Sequence, residues 1–599
     1  MIYHCEDHTC NYWDEGEKLP ERCPQCGRKL LRANEADMTG DDWTALGNTL
    51  WDAEASDKKR MVDCFRKAAY LGSAWGVCNL GICMEQGNGV EADPVQAFWL
   101  YQQAVEMGSL NAVCCLGVCY QYGIGTAPDA KQAAELYCKA AEYGSPRGQM
   151  LLARAFHDGI GVEADAAEAV YWVRAAAYQR YGEGMHRLGV CYEYGDGVEQ
   201  NWERAVHWFR EAAESGVGVA MTDLGYCYEK GCGVEQSWEQ AFSWYRRSAE
   251  CGNPVSMSNL GLCYQMGYGV EQNWQEAIKW YEQGAQCGDL QCMHNLACCY
   301  ERGEGVEQNE ERALYWYRRS AEGGNGSAMC NLGRCYKRGY GVEQNWQEAV
   351  KWYEQGAQCG NLQSMHNLAC CYEHGEGVEQ NMTEAIRWYT AAAEGGNADD
   401  MYELGWQYDH GEGVEQDMKK AICWYERAAE QNHPAAMNSL GECYAMGRGV
   451  PRDLETAMEW YRRAAELGEA MADYNMGWHL EQAGKLSEAY THYRKAADGN
   501  DDSAWWALGR FYENGVVVAQ DGKEARRCYE TGEKLGSVKC KMRLARCKLL
   551  GIGGRRAKKA GLDLCRQALE LAKESSEKED YGYEAEMNLL RRTIAENES

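Results

Sequence analysis

The sequence lacks the features that anchor a chain in a membrane or divide it with linkers. Its 599 residues include only 8 prolines, and no Pro/Gly/Ser-rich tract interrupts it. No segment reaches the roughly 18 consecutive apolar residues that a membrane helix needs. The first residues, MIYHCEDHTC, have no basic start followed by an apolar stretch, so no signal peptide is predicted. We therefore expect a cytoplasmic protein with no membrane association.

Positive charge is also scarce. The chain has 61 Lys and Arg against 91 Asp and Glu, a formal net charge of −30. Because phosphate is repelled by such a surface, nucleic acid is an unlikely partner. One basic run near the C-terminus is interpreted as a solvated end, with a site for an acidic partner or for the protein's own acidic body as the alternative. It comprises Lys539, Lys541, Arg543, Arg546, Lys548, Arg555, Arg556, Lys558 and Lys559.

A Gly-x-Gly loop recurs eleven times at an unbroken spacing of 36 residues. A fixed period of this length is typical of a stacked repeat in which each unit packs only on its neighbours. We therefore predict an all-α fold, an α/α solenoid superhelix of helix-turn-helix repeats. The first glycines of the loops are Gly87, Gly123, Gly159, Gly195, Gly231, Gly267, Gly303, Gly339, Gly375, Gly411 and Gly447.

The repeat at residues 256–288 shows why each unit folds as two helices. Its first half has apolar and small residues such as Leu260 at helical spacing. Gly267 can end this helix because glycine allows positive φ, and Asn273 offers a side-chain cap for the next one. The second helix carries a tryptophan column that we interpret as core packing between repeats. Its members are Trp172, Trp208, Trp244, Trp280, Trp316, Trp352, Trp388, Trp424 and Trp460.

These positions resemble the Sel-1-like repeat family, close relatives of tetratricopeptide repeats. The residues that carry the resemblance are Leu224-Gly225, Tyr228, Gly231 to Val234, Ala241, Trp244-Tyr245, Ala249-Glu250 and Gly252. The resemblance covers most of the chain and implies a superhelix with a concave groove. We expect a zinc ribbon-like segment over 1–32, the repeat array over 40–575 and a capping helix over 576–599.

The 31 cysteines suggest disulfides by number but not by position. Six of them form a column with the 36-residue period, and equivalent atoms of stacked helices lie roughly 10 Å apart, beyond the roughly 7 Å Cα separation that a disulfide allows. We predict buried free thiols. The secreted cysteine-rich relatives cross-link each repeat with a disulfide between cysteines eight residues apart. This chain has Ala285 and Met293 at the corresponding positions, so that disulfide is not expected here. The column comprises Cys191, Cys227, Cys263, Cys299, Cys335 and Cys371.

Four cysteines precede the repeats in the pattern of a metal site. Cys5 and Cys10 form one pair, and Cys23 and Cys26 form a Cys-Pro-Gln-Cys-Gly knuckle that aims two thiolates at one point. Four thiolates are the closed tetrahedral set of structural zinc, with iron as the second candidate. His4 and His8 are alternative ligands, and four unbound thiols are the remaining alternative. The segment resembles a zinc ribbon or a rubredoxin-like module.

Alignment with the tetratricopeptide signature places six positions of each unit on the groove. In one unit these are residues 255, 258, 259, 262, 265 and 266, and their equivalents in the other units lie 36 residues away. An asparagine column there can bind the backbone of an extended peptide, because an amide both donates and accepts; bonding to the neighbouring helix is the alternative. The column comprises Asn79, Asn259, Asn295, Asn331 and Asn367.

Two further columns shape the predicted groove. One is acidic and favours a basic or neutral ligand; it comprises Glu193, Glu229, Glu301, Glu373 and Asp409. The other brings large aromatic residues to groove positions, which is typical of binding hot spots, with packing inside the superhelix as the alternative. These aromatics are Tyr402, Trp406, Tyr474, Trp478 and Trp506.

A protein or peptide segment in the groove is therefore the expected ligand, and a non-enzymatic scaffold or adaptor the expected function. Two alternatives remain. The first is a hydrolase of the cysteine-rich, β-lactamase-like type acting through groove histidines and cysteines. Those residues, His186, His294, His366, Cys298 and Cys370, lie in different repeats and are not expected to converge. The second is a nucleic-acid-associated adaptor that uses the zinc ribbon and the basic run.

Overall fold

The structure is a computed structural model that describes residues 2–5, 13–15, 30–32, 38–51, 55–578 and 584–598. The chain forms two compact units, Met1–Asn309 and Glu310–Ser599, which are described separately. The first unit begins with three antiparallel strands in the order β2-β1-β3, namely β1 (Ile2–Cys5), β2 (Trp13–Glu15) and β3 (Leu30–Arg32). In their register Tyr3 pairs with Asp14 and with Arg32. Of the predicted metal ligands, only Cys5 lies in a strand; Cys10, Cys23 and Cys26 lie outside the described residues.

Every other described element is a helix. The first unit contains α1 (Gly40–Thr49), α2 (Ala55–Tyr70), α3 (Ala74–Gln86), α4 (Pro94–Glu106), α5 (Leu110–Tyr122), α6 (Ala130–Glu142), α7 (Pro146–Asp158), α8 (Ala166–Tyr178), α9 (Gly182–Tyr194), α10 (Trp202–Glu214), α11 (Gly218–Lys230), α12 (Trp238–Glu250), α13 (Pro254–Met266), α14 (Trp274–Gln286) and α15 (Leu290–Arg302).

The second unit contains α16 (Glu310–Glu322), α17 (Gly326–Arg338), α18 (Trp346–Gln358), α19 (Leu362–His374), α20 (Met382–Glu394), α21 (Ala398–His410), α22 (Met418–Glu430), α23 (Pro434–Met446), α24 (Leu454–Glu466), α25 (Ala470–Gln482), α26 (Leu486–Asp498), α27 (Asp502–Asn514), α28 (Gly522–Lys534), α29 (Val538–Leu550), α30 (Lys558–Lys578) and α31 (Glu584–Glu598). Helices α1 to α30 alternate between the first and the second helix of a repeat. None of the helices in the described part of the chain is long and apolar enough to cross a membrane.

The turn inside each repeat forms as the sequence predicts. Gly267 ends α13 in the left-handed conformation at φ 77°, and the side chain of Asn273 accepts the backbone N–H of Glu276 at 3.2 Å to cap α14. Gly269 has a different reason to be glycine. A Cβ there would lie 2.2 Å from the carbonyl oxygen of Trp238. The second glycine therefore lets the loop rest on the preceding repeat.

Within each unit the helices form two layers. First helices contact the first helices of neighbouring repeats, as α3 does with α5 and α13 with α15 in the first unit, or α17 with α19 and α21 with α23 in the second. The second helices pack between first helices on either side. Each unit therefore has a layer of first helices and a layer of second helices. We call the solvent-facing side of the layer of first helices the first-helix face.

The most deeply buried rings of the core are tyrosines, and the predicted tryptophan column packs beside them, partly buried. Tyr281 is fully buried, whereas the neighbouring Trp280 is only half-buried. The Tyr281 ring packs so closely on Gly261 that a Cβ there would lie 2.4 Å from the ring. Its hydroxyl donates to Gln265 Oε1 at 2.8 Å. The same bond, at 2.6–2.8 Å, joins Tyr101 to Glu85, Tyr137 to Gln121, Tyr245 to Glu229, Tyr389 to Glu373 and Tyr529 to Glu513.

The prediction of buried free thiols is confirmed. All six column cysteines are buried, and none of the cysteines with a described side chain forms a disulfide. Burial raises the pKa of Cys263 to about 12, which keeps this thiol protonated and inert at neutral pH. These residues act as small core hydrophobes.

At the C-terminal end, much of the basic run meets the protein's own acceptors. Arg543 bonds Glu586 at 2.6 Å and Glu513 at 3.3 Å, and Arg546 also pairs with Glu513. Arg556 donates to Asn597 at 2.6 Å. Because Glu586 and Asn597 belong to α31, Arg543 of α29 and Arg556 in the segment after it hold the last helix. The alternative in which the basic run serves the protein's own acidic residues therefore accounts for Arg543 and Arg546.

Candidate functional site

The groove positions predicted from sequence divide into exposed and inward-turned sites. In α13, Val255, Leu262 and Met266 have exposed fractions of 54%, 43% and 50%. Ser258 is buried, and Gln265 accepts the hydroxyl of the core tyrosine. The first-helix face is therefore formed mainly by the positions equivalent to 255, 259, 262 and 266.

The asparagine column lies on this face, half-buried in each repeat. Some of its amides also bond neighbouring side chains. Asn79 donates to Asn48 Oδ1 at 2.8 Å, and Asn367 donates to the Cys330 sulfur at 3.3 Å. Asn295 accepts from Gln291 Nε2 at 2.9 Å. The structural interpretation therefore applies to Asn79 and Asn367, which bond side chains of the preceding first helix. Peptide binding by the column stays a prediction.

In the second unit the predicted aromatic residues lie on first helices of alternate repeats. Tyr402 and Trp406 belong to α21, whereas Tyr474 and Trp478 belong to α25. Trp478 is 38% exposed, and the other three are half-buried. Tyr402 stacks on His433 with ring centroids 5.0 Å apart. These rings are thus fixed by neighbours while part of each surface stays open to solvent.

Trp506 on α27 continues this row. Its ring carries the Arg510 guanidinium at 4.6 Å on the same helix and the Lys539 ammonium at 5.3 Å from α29. Arg510 also forms an ion pair with Glu481 at 2.8 Å. Cations thus cover Trp506, which makes it a less available contact than Trp478.

A polar network between the two aromatic pairs was missed from sequence. Asn475 donates to Asn438 Oδ1 at 3.0 Å and to Glu442 Oε1 at 3.2 Å, and Asn438 donates to Glu442 at 3.1 Å. Arg448 pairs with Asp409 at 3.0 Å beside it. Burial raises the pKa of Glu442, although both amides and Arg448 oppose that rise. Asn438 and Glu442 occupy the same repeat positions as Tyr402 and Trp406, and this equivalence was the available signal.

Members of the acidic column also have a structural role, because they bond tyrosines of the core. Glu229 and Glu373 accept the hydroxyls of Tyr245 and Tyr389. On the neighbouring helix, burial and the Glu373 charge raise the pKa of Glu403. Carboxylates crowded in this way gain from a nearby cation; a basic or neutral ligand for the groove stays a prediction.

Two of the groove histidines bond carboxylates in the following repeat. His186 Nε2 lies 2.7 Å from Asp223, and His366 Nδ1 lies 2.8 Å from the fully buried Asp400. The other nitrogen of His366 lies 3.6 Å from the Cys370 sulfur. The hydrogen bond to Asp400, followed by that to Cys370, raises the pKa of His366 to about 10.

This cluster brings a carboxylate, an imidazole and a thiol together, and the raised pKa of about 10 keeps the imidazole protonated at neutral pH. The ion pair between His366 and Asp400 ties α19 to α21. Within the described residues no group of three or more histidine, cysteine or acidic side chains is arranged to hold a metal ion.

Comparison with protein families identifies the repeat. The Sel1 repeat model matches residues 76–109, 112–145, 146–181, 182–217, 218–253, 254–289, 290–325, 326–361, 362–397, 398–433, 434–469, 470–501 and 504–537. These segments cover well over half of the chain, and the chain therefore belongs to the Sel1 repeat family. Solenoids of such repeats are typical protein-interaction scaffolds, and this protein is of that class.

One solved structure supports this architecture, and a second is similar in sequence. A protective antigen of uropathogenic Escherichia coli with an SLR fold is 32% identical to this chain, covering 75% of this chain and 97% of its own, at a TM-score of 0.50. A Sel1 repeat protein from Oxalobacter formigenes is 31% identical, covering 41% of this chain and 99% of its own, at a TM-score of 0.39. Among curated proteins the chain has no match.

Proposed function

We propose that the first-helix face between α21 and α27 binds an extended or helical segment of a partner protein. The observation that carries the proposal is the alternation on this face: an aromatic pair on α21, an amide and carboxylate network on α23, and a second aromatic pair on α25. Aromatic rings held in place by neighbours are effective anchors, because little side-chain entropy is lost on binding. The network offers hydrogen-bonding groups between the anchors.

The asparagine column is the second part of the proposed surface. Asn331 and Asn367 of the second unit recur in step with its repeats, so they can meet peptide groups about three residues apart on one strand. Asn259 and Asn295 are the equivalent pair of the first unit. Replacing Asn331 and Asn367 together with alanine should weaken partner binding by about 1–3 kcal/mol if the amides bond its backbone. A large fall in melting temperature with unchanged binding would instead mark these amides as structural.

The protein is proposed to act without catalysis and in a reducing compartment such as the cytoplasm. The Sel1 repeat solenoid, a fold that is typically non-enzymatic, supports the first point. The lack of disulfides among the cysteines with a described side chain supports the second, because an oxidising compartment favours disulfides. Thiol titration of denatured, unreduced protein should find nearly all cysteines outside the N-terminal segment free. If the titration instead reveals several intramolecular disulfides, a reducing compartment is excluded.

The N-terminal cysteines are proposed to hold one structural zinc ion, with iron as the alternative. Four thiolates suit either ion, and Cys5 ends β1, a strand paired on both sides in a three-stranded sheet. In a segment this small, metal binding and folding are coupled. We expect elemental analysis to find one metal per chain, which Cys23→Ser removes without a change in the array's helical circular dichroism. Metal-free protein purified without chelator would contradict the proposal.

The partner site is tested by comparing two kinds of tryptophan. A partner is first captured from the native cell and identified. The double variant Trp406→Ala and Trp478→Ala should then weaken its binding by about 2 kcal/mol or more, the range of hot-spot residues. Trp424→Ala is the control, because Trp424 lies half-buried on the second helix α22 with Arg427 over its ring. An equal loss of partner affinity in the double variant and in the Trp424→Ala control, or no loss of affinity in either, would contradict the proposed binding face.

A further inference from the structure

The tyrosine column of the core is interrupted in the repeat at residues 146–181. The position that holds Tyr137 in one repeat and Tyr245 in another is occupied here by Val173. Its usual hydrogen-bond partner, 16 residues earlier, is replaced by His157. A valine side chain lacks the ring and the hydroxyl, so space remains where a tyrosine packs elsewhere.

The structure has a cavity at this place. It measures about 390 Å³ and lies among α7, α8 and α9 of the first unit. Met150, Ala153, Val170 and Val173 line its apolar part. An apolar cavity of about 150 Å³ is enough to bind benzene, so this one has room for a ring with its substituents.

The polar part of the lining holds three carboxylates, those of Asp158, Glu183 and Asp196, against two arginines. His157 Nδ1 lies 2.6 Å from Asp158, and His157 Nε2 lies 3.3 Å from Asp196. Arg154 pairs with Asp158 at 3.4 Å, and Arg187 lies 3.8 Å from Asp196. Because both arginines have carboxylate partners, the cavity does not require an anionic ligand. It offers carboxylate acceptors beside an apolar wall, which suits a neutral ring that carries one hydroxyl.

We infer that this cavity is a binding site for a single phenolic ring. The ring would take the place that tyrosine fills in other repeats, with its hydroxyl donating to Asp158 or Asp196 beside His157. Two sources carry this chemistry: a free small phenol, or a tyrosine side chain of a bound peptide. The site lies in the first unit and does not depend on the partner surface proposed for α21 to α27.

The test uses the full chain with p-cresol and with N-acetyl-tyrosinamide, followed by calorimetry and ligand-observed NMR. Wild-type protein should bind p-cresol, and Val173→Tyr should weaken that binding about tenfold or more, which equals about 1.4 kcal/mol. Val173→Ala, which keeps the cavity open, should retain binding. Binding of the tyrosine derivative as well would indicate a peptide source, whereas binding of p-cresol alone would indicate a free phenol.

The tyrosine variant is expected to fold, because tyrosine occurs at this position opposite alanine in two repeats, Ala297 with Tyr317 and Ala369 with Tyr389. Should it fail to fold, Val173→Phe follows the precedent of Phe209 in the next repeat and fills the same space. Failure of both probes to bind wild-type protein would overturn the inference. Equal binding of p-cresol by wild type and by a folded, cavity-filled variant would overturn it as well.

Discussion

The interior of the repeats and the first-helix face differ in how much their residues vary from one repeat to the next. In the interior the same residues recur: Leu404 and Gly405 of α21 are buried, as are Leu440 and Gly441 of α23. On the face, equivalent positions change chemistry from repeat to repeat. The position of Trp406 holds Glu442 in the next repeat. Packing therefore restricts one side of each helix to a few residue types, and the other side is free to vary with the ligand.

The largest expected effect comes from the interior. Tyr281→Ala should lower the free energy of unfolding by about 3–5 kcal/mol, because it leaves a cavity where a buried ring packed on Gly261. Tyr281→Phe keeps the ring and removes the hydroxyl's hydrogen bonds to Gln265 and Asn295, so about 1–2 kcal/mol is expected. Trp280→Ala is the comparison on the same helix and should have an effect well below that of Tyr281→Ala. Urea denaturation of the three variants measures this order, and an equal or larger loss for Trp280→Ala would refute the tyrosine core.

An exception inside the interior predicts a gain in stability. Gln407 occupies the position of Cys371 and Cys443; it is 1% exposed, and within the described residues its amide nitrogen and oxygen have no hydrogen-bond partner. A buried amide without partners lowers stability by about 1–3 kcal/mol, so Gln407→Cys should raise it by a similar amount. The reciprocal change, Cys443→Gln, should destabilise. A melting temperature that falls in Gln407→Cys would mean that this amide has an unrecognised partner.

The smallest expected effect concerns pH and the contact between α19 and α21. The pKa of His366 is raised from 6.5 to about 10, so its contribution to stability is fully present below about pH 6.5 and is lost as pH rises through 10. Burial raises the pKa of Asp400 while His366 lowers it; the ion pair is the state that the 2.8 Å contact supports. Wild-type melting temperature should therefore fall more between pH 6.5 and 10 than that of Asp400→Asn. Cys370, Tyr389 and Glu403 also face the imidazole, and they are present in both proteins. Parallel pH curves would show that the pair adds no stability.

The sequence predicted the repeat and its turn because Gly267 and Asn273 act locally. It placed Trp280 and Tyr281 on one apolar face and did not separate them, because adjacent residues differ by only about 100° around a helix, too little for periodicity to decide which one is more deeply buried. Asp400 was missed as the partner of His366 since the two meet only when neighbouring repeats stack. The sequence signal for the cavity was Val173, which stands in a column of tyrosines. Interpreting this signal required knowing that the column forms the core.

The claim that the first-helix face binds the partner is tested most directly by hydrogen–deuterium exchange of the full chain with and without the captured partner. We predict slower exchange in peptides from the first helices α21, α23 and α25 in the complex, with the second helices α22 and α24 little changed. Protection confined to α22 and α24, or no protection in α21 to α25 at saturating partner, would contradict the account.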